Sequence, residues 1–554
     1  MKREGLVALF VGAALAVWLT WPTIAHPGSM ARVDTGDGRF SVWNVAWVAH
    51  ALTSDPAHLF DANIFYPHKG TLAWSEANLV AGVMAAPVYA ITGNPVAAHN
   101  VVVYAAFVLS FVAVWALVRR LAGDGLVALV PATAFAFAPF VAARTAHIQL
   151  LMVFVFPVVL LAFHRYLERP TVWRGAVLGL SLALAALACG YYGIFAGLAV
   201  AWGSVWFGAS RLRSGRYWLG LIVAMVVAGA VVAPVLRPYL ELRSATGARG
   251  AITADELRTY SADWRAWVTS PSRAHQWLID LLGQGREVLF PGFVAIAGAL
   301  MAVRRHRDEP GASQQAPPAW PGPTRARIMG FYGSLGALAF WAAFGPDAGL
   351  YLWLSDSLPF MSFLRAPARL GIVVVFALAV LAGFGLAAAL PARRRGVWVG
   401  ALVLLTAAEV SAAPWPLREV PPLAPAYRML AELPPAPVVE FHFPYQPTDL
   451  HRHTRYMFRS MWHWRPLVNG YSDYIPPDFR DMMVPINGFP DPASFRILRA
   501  RGVRYVTFDM ETYGPEAQAV LLARFPPYRA YLRPLIESGE VWLYEIVEYP
   551  PESR

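Results

Sequence analysis

Cysteine is almost missing from this sequence. Cys189 stands alone among 554 residues, inside an apolar run, so a disulfide framework, a thiolate zinc site or a redox thiol pair within one chain is excluded. Lysine is nearly as scarce: Lys2 and Lys69 are the only two, and arginine supplies the rest of the basic charge. With heavy use of Ala, Gly, Val and Pro, this suggests a GC-rich bacterial genome. Charge of either sign is low, at 15% of residues against 57% hydrophobic and a mean hydropathy of +0.43; a soluble domain carries about 25% charged residues. A phosphate loop is also lacking, because LAGDG (121–125) and GQGRE (283–287) neither follow a strand nor carry the Lys-Ser/Thr pair.

What is present is a series of long apolar runs, at 5–25, 96–118, 126–142, 148–163, 175–189, 191–209, 217–236, 287–303, 327–345, 370–391 and 397–413. They predict about eleven membrane spans. The first run follows Lys2 and Arg3 and has no clear small-x-small cleavage site after it, so it reads as a retained span. No Asp, Glu, Lys or Arg falls in the middle of a predicted span, and Glu409 lies close to an outer end. Ion-coupled carriers keep ionisable groups at mid-membrane, so this pattern speaks against one.

The net charge of +11 is topological rather than a nucleic-acid footprint. Arg119–Arg120, Arg165/Arg169/Arg174, Arg211/Arg213/Arg216, Arg304/Arg305/Arg307 and Arg393–Arg395 sit in short clusters between the runs. All of them are cytoplasmic if the short run 78–92, which contains Pro87, dips into the outer leaflet without crossing; they all flip outside if it crosses. The expectation is a multi-pass protein of the bacterial cytoplasmic membrane with a cytoplasmic N-terminus. The varied loops 26–95, 237–286 and 346–369, and everything after about 414, then lie outside. Residues 1–413 form the membrane domain. In 414–554, PVVEFHF (437–443), VRYVTFD (503–509) and VWLYEIV (541–547) read as strands alternating with helices near 424–432, 493–501 and 515–524, which predicts a soluble extracytoplasmic α/β domain.

Chemistry is expected in the outer loops. The first carries Asp34 and Asp37, with Gly36 and Gly38 around the second, followed by Phe40, Trp43, Trp47 and His50 at helical spacing. A carboxylate there can take a proton from a hydroxyl acceptor; the alternative is that it caps the helix and complements its dipole. Glu76 is a second candidate carboxylate, with capping of the dipping helix as its alternative. His147 and Gln149 sit at the outer mouth, as do Tyr191 and Tyr192, which can anchor the interface or stack on a sugar. Arg237, Arg365 and Arg369 can meet lipid headgroups or grip a phosphate.

Several segments together resemble a family. They are GDG (36–38) before Trp43 and Trp47, FDANIFYPHKGTLAWSE (60–76), ITGNPVAAHN (91–100), FAFAPF (135–140) with AHIQLL (146–151), YYGIF (191–195), FPGF (290–293), LRAPARL (364–370) and HWRPLVNGYSDYIPP (463–477). The chain resembles a group of bacterial polytopic membrane proteins related to the C-type (GT-C) glycosyltransferases, and the resemblance covers most of its length. It implies an acidic residue acting in the first outer loop, with Asp37 the best match by position and Asp34 second. It also implies a polyprenyl-phosphate-linked sugar donor and a glycan, lipid or protein acceptor in cell-envelope assembly.

The expected activity is therefore glycosyl transfer, hexosyl or pentosyl, in contact with membrane lipids and with no nucleic-acid partner. The catalytic candidates are Asp37, Asp34 and Glu76. The substrate-binding candidates are His147, Gln149, Tyr191, Tyr192, Arg237, Arg365 and Arg369. No cofactor is called for, and a divalent metal finds no supporting ligand pattern. A lipid or glycan transporter and a non-catalytic envelope assembly protein are the competing readings.

Overall fold

The computed structural model describes residues 2–208, 213–246, 252–308, 323–411 and 416–551. Arg211, Arg249, most of the loop 308–324 and the boundary at 413–414 lie outside the described residues. The chain divides into two compact units, Met1–Ala25 with Val102–Trp415, and His26–Val101 with Pro416–Arg554.

The first unit is helical. Its helices are Lys2–Leu19, the part of Pro95–Ala122 from Val102 onward, Val155–Glu168, Val172–Ala188, Gly190–Gly208, Gly215–Thr246, Phe293–Asp308, Arg325–Ala343, Gly371–Ala389 and Arg395–Val410, with shorter pieces between them. Every apolar run of the sequence contains helix, as runs rich in Ala and Leu favour. Pro95–Ala122, Gly215–Thr246 and Pro367–Ala389 are long and apolar enough to cross a membrane by length and composition.

Prolines and capping threonines set several ends. The run 126–142 is split into Leu129–Ala136 and Pro139–Ala142, because Pro139 lacks an N–H and pushes Ala138 to an extended ψ of 145°. Thr171 accepts from the Arg174 N–H at 3.2 Å, and Thr324 accepts from the Arg327 N–H at 3.3 Å. The run 217–236 belongs to the longer helix Gly215–Thr246, so the first residues of the predicted loop 237–286 are helical instead. The Arg237–Glu241 pair, one turn apart at 2.6 Å, supports that extension.

Packing uses small residues. A Cβ on Gly175 would fall 2.3 Å from the Gly220 carbonyl oxygen, and one on Gly385 would fall 2.0 Å from that of Gly298. Both helix pairs therefore approach backbone to backbone, the close fit that replaces hydrophobic burial where both sides face apolar surroundings.

The second unit is built around a four-stranded sheet. Its strands are β1 (Val438–Phe441), β2 (Tyr505–Asp509), β3 (Leu532–Ile536) and β4 (Val541–Ile546), in the order β1-β2-β4-β3. β1 and β2 run parallel, with Val438 opposite Tyr505; the other two pairings are antiparallel. Every residue of β1 and β2 is buried, including Glu440, Thr507 and Asp509. Helices Pro425–Glu432, Pro492–Ala500 and Pro515–Arg524 match the helical stretches expected, and His453–Ser460 adds another.

Residues 26–101 belong to this unit, whereas the sequence groups 26–95, the expected first outer loop, with the expected membrane domain. The reason is backbone pairing. Leu467 N–H donates to the Asn63 carbonyl at 2.7 Å, Tyr66 N–H to Leu467 at 2.9 Å, and Phe65 N–H to Asn469 at 3.1 Å. The segment 466–468 in turn pairs with β1, through Val438 N–H to Pro466 at 2.8 Å and Val468 N–H to Val438 at 2.9 Å. The open edge of β1 is thus covered by the segment 466–468, against which residues 63–66 pair in turn.

Candidate functional site

In the second unit, the helix Gly36–Ser54 begins the site. Thr35 is its cap: the Thr35 hydroxyl accepts the Gly38 N–H at 3.1 Å. Asp37 occupies the first turn, and its side chain is exposed. The cap of this helix is thus Thr35, and Asp37 lies beside its positive end. Gly38 is required where it stands, since a Cβ there would lie 1.9 Å from the Arg32 carbonyl oxygen. This close approach folds residues 30–35 back over the helix start.

Asp34 sits in that fold. It takes the Arg32 guanidinium at 2.9 Å through Nε and 3.4 Å through Nη2, with both side chains largely buried. Arg39, one turn into the helix, is half-buried. Burial lowers its pKa most, repulsion from Arg455 and Arg459 adds to this, and Asp34 opposes it. Arg455 and Arg459 both bond Oδ2 of the buried Asp509, at 2.9 and 2.6 Å, and Arg455 also pairs with Glu511 at 2.5 Å. Asp34 therefore stands at the edge of an arginine-rich cluster, with Arg32 and Arg39 beside it and Arg455 and Arg459 of the C-terminal segment acting on Arg39.

Glu76 is placed further along. Its carbonyl accepts the Asn44 side-chain amide at 3.1 Å, and Asn44 lies about 10 Å up the helix axis from Asp37. A tight aromatic group separates these levels from the loop below. Trp43 Nε1–H donates to Asn63 Oδ1 at 3.2 Å, His50 stacks on Trp464 at 4.7 Å, and Trp464 Nε1–H donates to the Tyr89 hydroxyl at 2.9 Å. The segments 60–76 and 463–477, about 400 residues apart, thus form one structure; Ser75 bonds Asp473 at 3.1 Å and His68 bonds Asp478 at 2.9 Å.

In the first unit, three of the predicted binding residues gather. The Tyr191 hydroxyl accepts the Arg365 N–H at 3.1 Å, and the Arg369 guanidinium carbon lies 4.3 Å from the Tyr191 ring centroid. Arg365 also lies over Tyr260, at 5.9 Å. The Tyr351 hydroxyl donates to the Leu364 carbonyl at 2.5 Å and holds the same turn; burial raises its pKa, so it remains a neutral donor. Tyr192 reaches the other way, donating to the Leu150 carbonyl at 2.6 Å. That bond ties it to the short helix Ile148–Leu151, which carries Gln149 and begins after the half-buried His147.

Arg237 is not part of this group. Its side chain is 79% exposed and pairs with Glu241. Arg243 of the same helix lies over Phe363, in the loop before Arg365, at 5.4 Å. Another group escaped the sequence reading. Ser270 Oγ lies 2.6 Å from His275 Nδ1, and His275 Nε2 lies 3.2 Å from Glu409 Oε1. Glu409 also accepts the Phe293 and Val294 N–H groups. All three side chains are buried, so the chain Ser270–His275–Glu409 ties a loop to the start of one helix and the end of another. The signals were a histidine in the SRAHQW run and Glu409 near the end of an apolar run, with nothing local to pair them. Among the described residues, no group of three or more His, Cys, Asp or Glu is placed to hold a metal ion.

Neither a family model nor a curated protein matches the chain. Solved structures do. The arabinofuranosyltransferase AftD from Mycobacteria matches 100% of this chain at 13% identity with a TM-score of 0.57. The chain spans 40% of the length of AftD. ArnT from Cupriavidus metallidurans, in its apo state, matches at 14% identity and a TM-score of 0.51, with 99% of both chains covered. The chain thus has the fold of the GT-C glycosyltransferases.

Proposed function

We propose that this chain is a membrane glycosyltransferase that moves a sugar from a polyprenyl-phosphate-linked donor to an acceptor outside the cytoplasmic membrane, in cell-envelope glycan or glycolipid assembly. The observation that carries the reading is Asp37: an exposed carboxylate in the first turn of a helix already capped by Thr35. It belongs to a fold that matches ArnT over 99% of both chains. An exposed carboxylate at the start of a helix that another residue caps is suited to proton transfer.

In this reading the Asp37 carboxylate takes the proton of the acceptor hydroxyl. The acceptor oxygen attacks the anomeric carbon, the bond from that carbon to the phosphate oxygen breaks, and polyprenyl phosphate leaves with inversion at the sugar. Asp34, held by Arg32, sets the field around the helix start. Arg365 and Arg369 hold the donor phosphate, and Tyr191 orients them. The test is transfer of labelled sugar by the purified chain in reconstituted membranes, across a panel of polyprenyl-phosphate sugars and envelope acceptors. Transfer from at least one donor supports the reading. Binding of these donors without turnover, together with their movement across the bilayer, replaces it with transport.

A further inference from the structure

A cavity of about 250 Å³ opens in the first unit, lined by Gly5, Trp115, Ala116, Arg119, Arg120, Leu161 and Arg165. It lies where three helices meet: Lys2–Leu19, Pro95–Ala122 and Val155–Glu168. The first two run side by side, since a Cβ on Gly5 would lie 3.8 Å from the Trp115 ring and one on Gly12 would lie 2.8 Å from that of Phe111. Trp115 is fixed as one wall by its Nε1–H bond to the Gly125 carbonyl at 2.8 Å. Arg119 lies over its ring at 5.6 Å.

The cations around this cavity outnumber the anions. Arg119 pairs with Glu4 at 2.8 Å, and Arg120 pairs with Glu168, which also faces Arg174 at 3.9 Å. The exposed Arg165 guanidinium has no carboxylate and no hydrogen-bond partner among the described residues. Four arginines thus share two carboxylates. An anion at Arg165 would complete the set, and a phosphate offers the oxygens that a guanidinium matches in pairs.

The apolar side of the cavity says what kind of phosphate. Gly5, Ala116, Leu161 and the Trp115 ring line it below the arginines. One turn from Gly5 on the same helix face is Leu9, 47% exposed, with Phe10 beside it at 73%. A free phosphate has no use for this apolar wall; a phosphate carrying acyl chains does. The arginines are also those that the positive-inside rule assigns to the cytoplasmic end of the spans, where anionic lipids are held by basic pockets between helices.

We propose that this cavity is a binding site for the phosphate headgroup of an anionic phospholipid in the cytoplasmic leaflet, with Arg165 as its unpaired anchor. The site is independent of the transferase reading. It is tested by native mass spectrometry of the full chain, titrated with phosphatidylglycerol, with phosphatidylcholine of the same chains, and with inorganic phosphate. Phosphatidylglycerol should bind about tenfold more tightly than phosphatidylcholine, the scale of one added charge-assisted contact. Arg165→Gln should remove that preference, while Arg213→Gln, an exposed arginine in the next basic loop, should keep it. The preference in the unmutated chain should also shrink as salt rises from about 50 to about 500 mM, a reading that needs no variant. Equal affinity for the two lipids, or a preference that survives Arg165→Gln, overturns the site. Displacement of the lipid by inorganic phosphate at matched concentration overturns the lipid as its occupant.

Discussion

Arg369 stacks on Tyr191, with its guanidinium carbon 4.3 Å from the ring centroid, while the hydroxyl of the same tyrosine accepts the main-chain N–H of Arg365 at 3.1 Å. One side chain therefore orients both arginines of the LRAPARL turn. Arg369 makes no ion pair or side-chain hydrogen bond among the described residues, so its charge is available to a ligand.

If these arginines hold the donor phosphate, Arg369→Gln should raise the donor KM by about tenfold or more, since a charge-assisted bond contributes roughly 1.5–3 kcal/mol. Arg369→Lys should recover only part of that loss, because an ammonium can neither stack on the ring as a plane nor bind two oxygens in parallel. Arg237→Gln should leave KM unchanged, as its partner is Glu241 on an exposed helix end. Steady-state transfer kinetics with varied donor separate the three; equal effects of Arg237→Gln and Arg369→Gln would contradict the assignment.

Membrane orientation has its own test. A reporter fused after Arg395 should read cytoplasmic and one fused at about Pro421 external, because the helix Arg395–Val410 lies between them and the arginines precede it. The expectation fails if both fusions report the same compartment.

Asn63 should be a fold-determining residue of the second unit. Its side chain accepts from Trp43 Nε1–H at 3.2 Å and donates to Ser460 Oγ at 3.1 Å and to the Arg465 carbonyl at 3.2 Å, all buried. Asn63→Ala leaves those groups without their partner, at a cost of about 1–3 kcal/mol for each donor or acceptor left unsatisfied. Hydrogen exchange in the segment 463–470 should rise several-fold or more, while the helix Gly371–Ala389 stays protected. Unchanged exchange in 463–470 would refute the role.

The apolar helices were legible because length and hydropathy are local properties, and each apolar run contains helix. The break at Pro139 was readable for the same reason, although the sequence reading ran a single span through 126–142. The grouping of 26–101 with 416–554 was not, because it rests on pairing between 63–66 and 465–469, and no periodicity reports a partner 400 residues away. At the site, Asp34 and Asp37 could be named from their position after the first run, and Tyr191, Arg365 and Arg369 from residue type at one depth. Arg237 was named on the same grounds, but the helix continues past it and turns it toward Glu241. Arg39, Arg455 and Arg459 were invisible as a group, since only the fold brings a helix of the C-terminal segment against the start of Gly36–Ser54.

Glu440 predicts a pH dependence. It lies buried in β1, its Oε2 accepts from the Tyr427 hydroxyl at 2.6 Å, and burial, opposed by Arg459, pushes its pKa from 4.5 up to about 7. A carboxyl whose folded pKa is raised contributes stability that is full below the unfolded value of 4.5 and lost as pH rises through about 7. The loss is on the order of 3 kcal/mol. Exchange in β1 should therefore quicken from pH 5 to pH 8 beyond the intrinsic chemical trend, and Glu440→Gln should flatten that excess. An excess that persists in Glu440→Gln belongs to another group.

The general-base assignment rests on Asp37→Asn. The two side chains are nearly isosteric, and the position is exposed with its helix capped by Thr35, so folding should change little, the dipole interaction contributing about 0.3–1 kcal/mol. Donor KM should hardly move, because Asp37 meets the acceptor proton rather than the phosphate. Loss of general-base catalysis should lower kcat by about 10²–10⁴-fold. Asp34→Asn is the matched comparison. It weakens the pairing with Arg32 at 2.9 Å and so perturbs the turn before the helix, with a smaller fall in kcat and a measurable loss of stability. Labelled-sugar transfer under saturating donor reads the first effect, and hydrogen exchange over residues 30–40 reads the second. If Asp37→Asn keeps full kcat while Asp34→Asn abolishes it, the base is Asp34 and Asp37 has a structural role. If both keep full kcat, the proton goes to neither, and Glu76→Gln becomes the deciding variant.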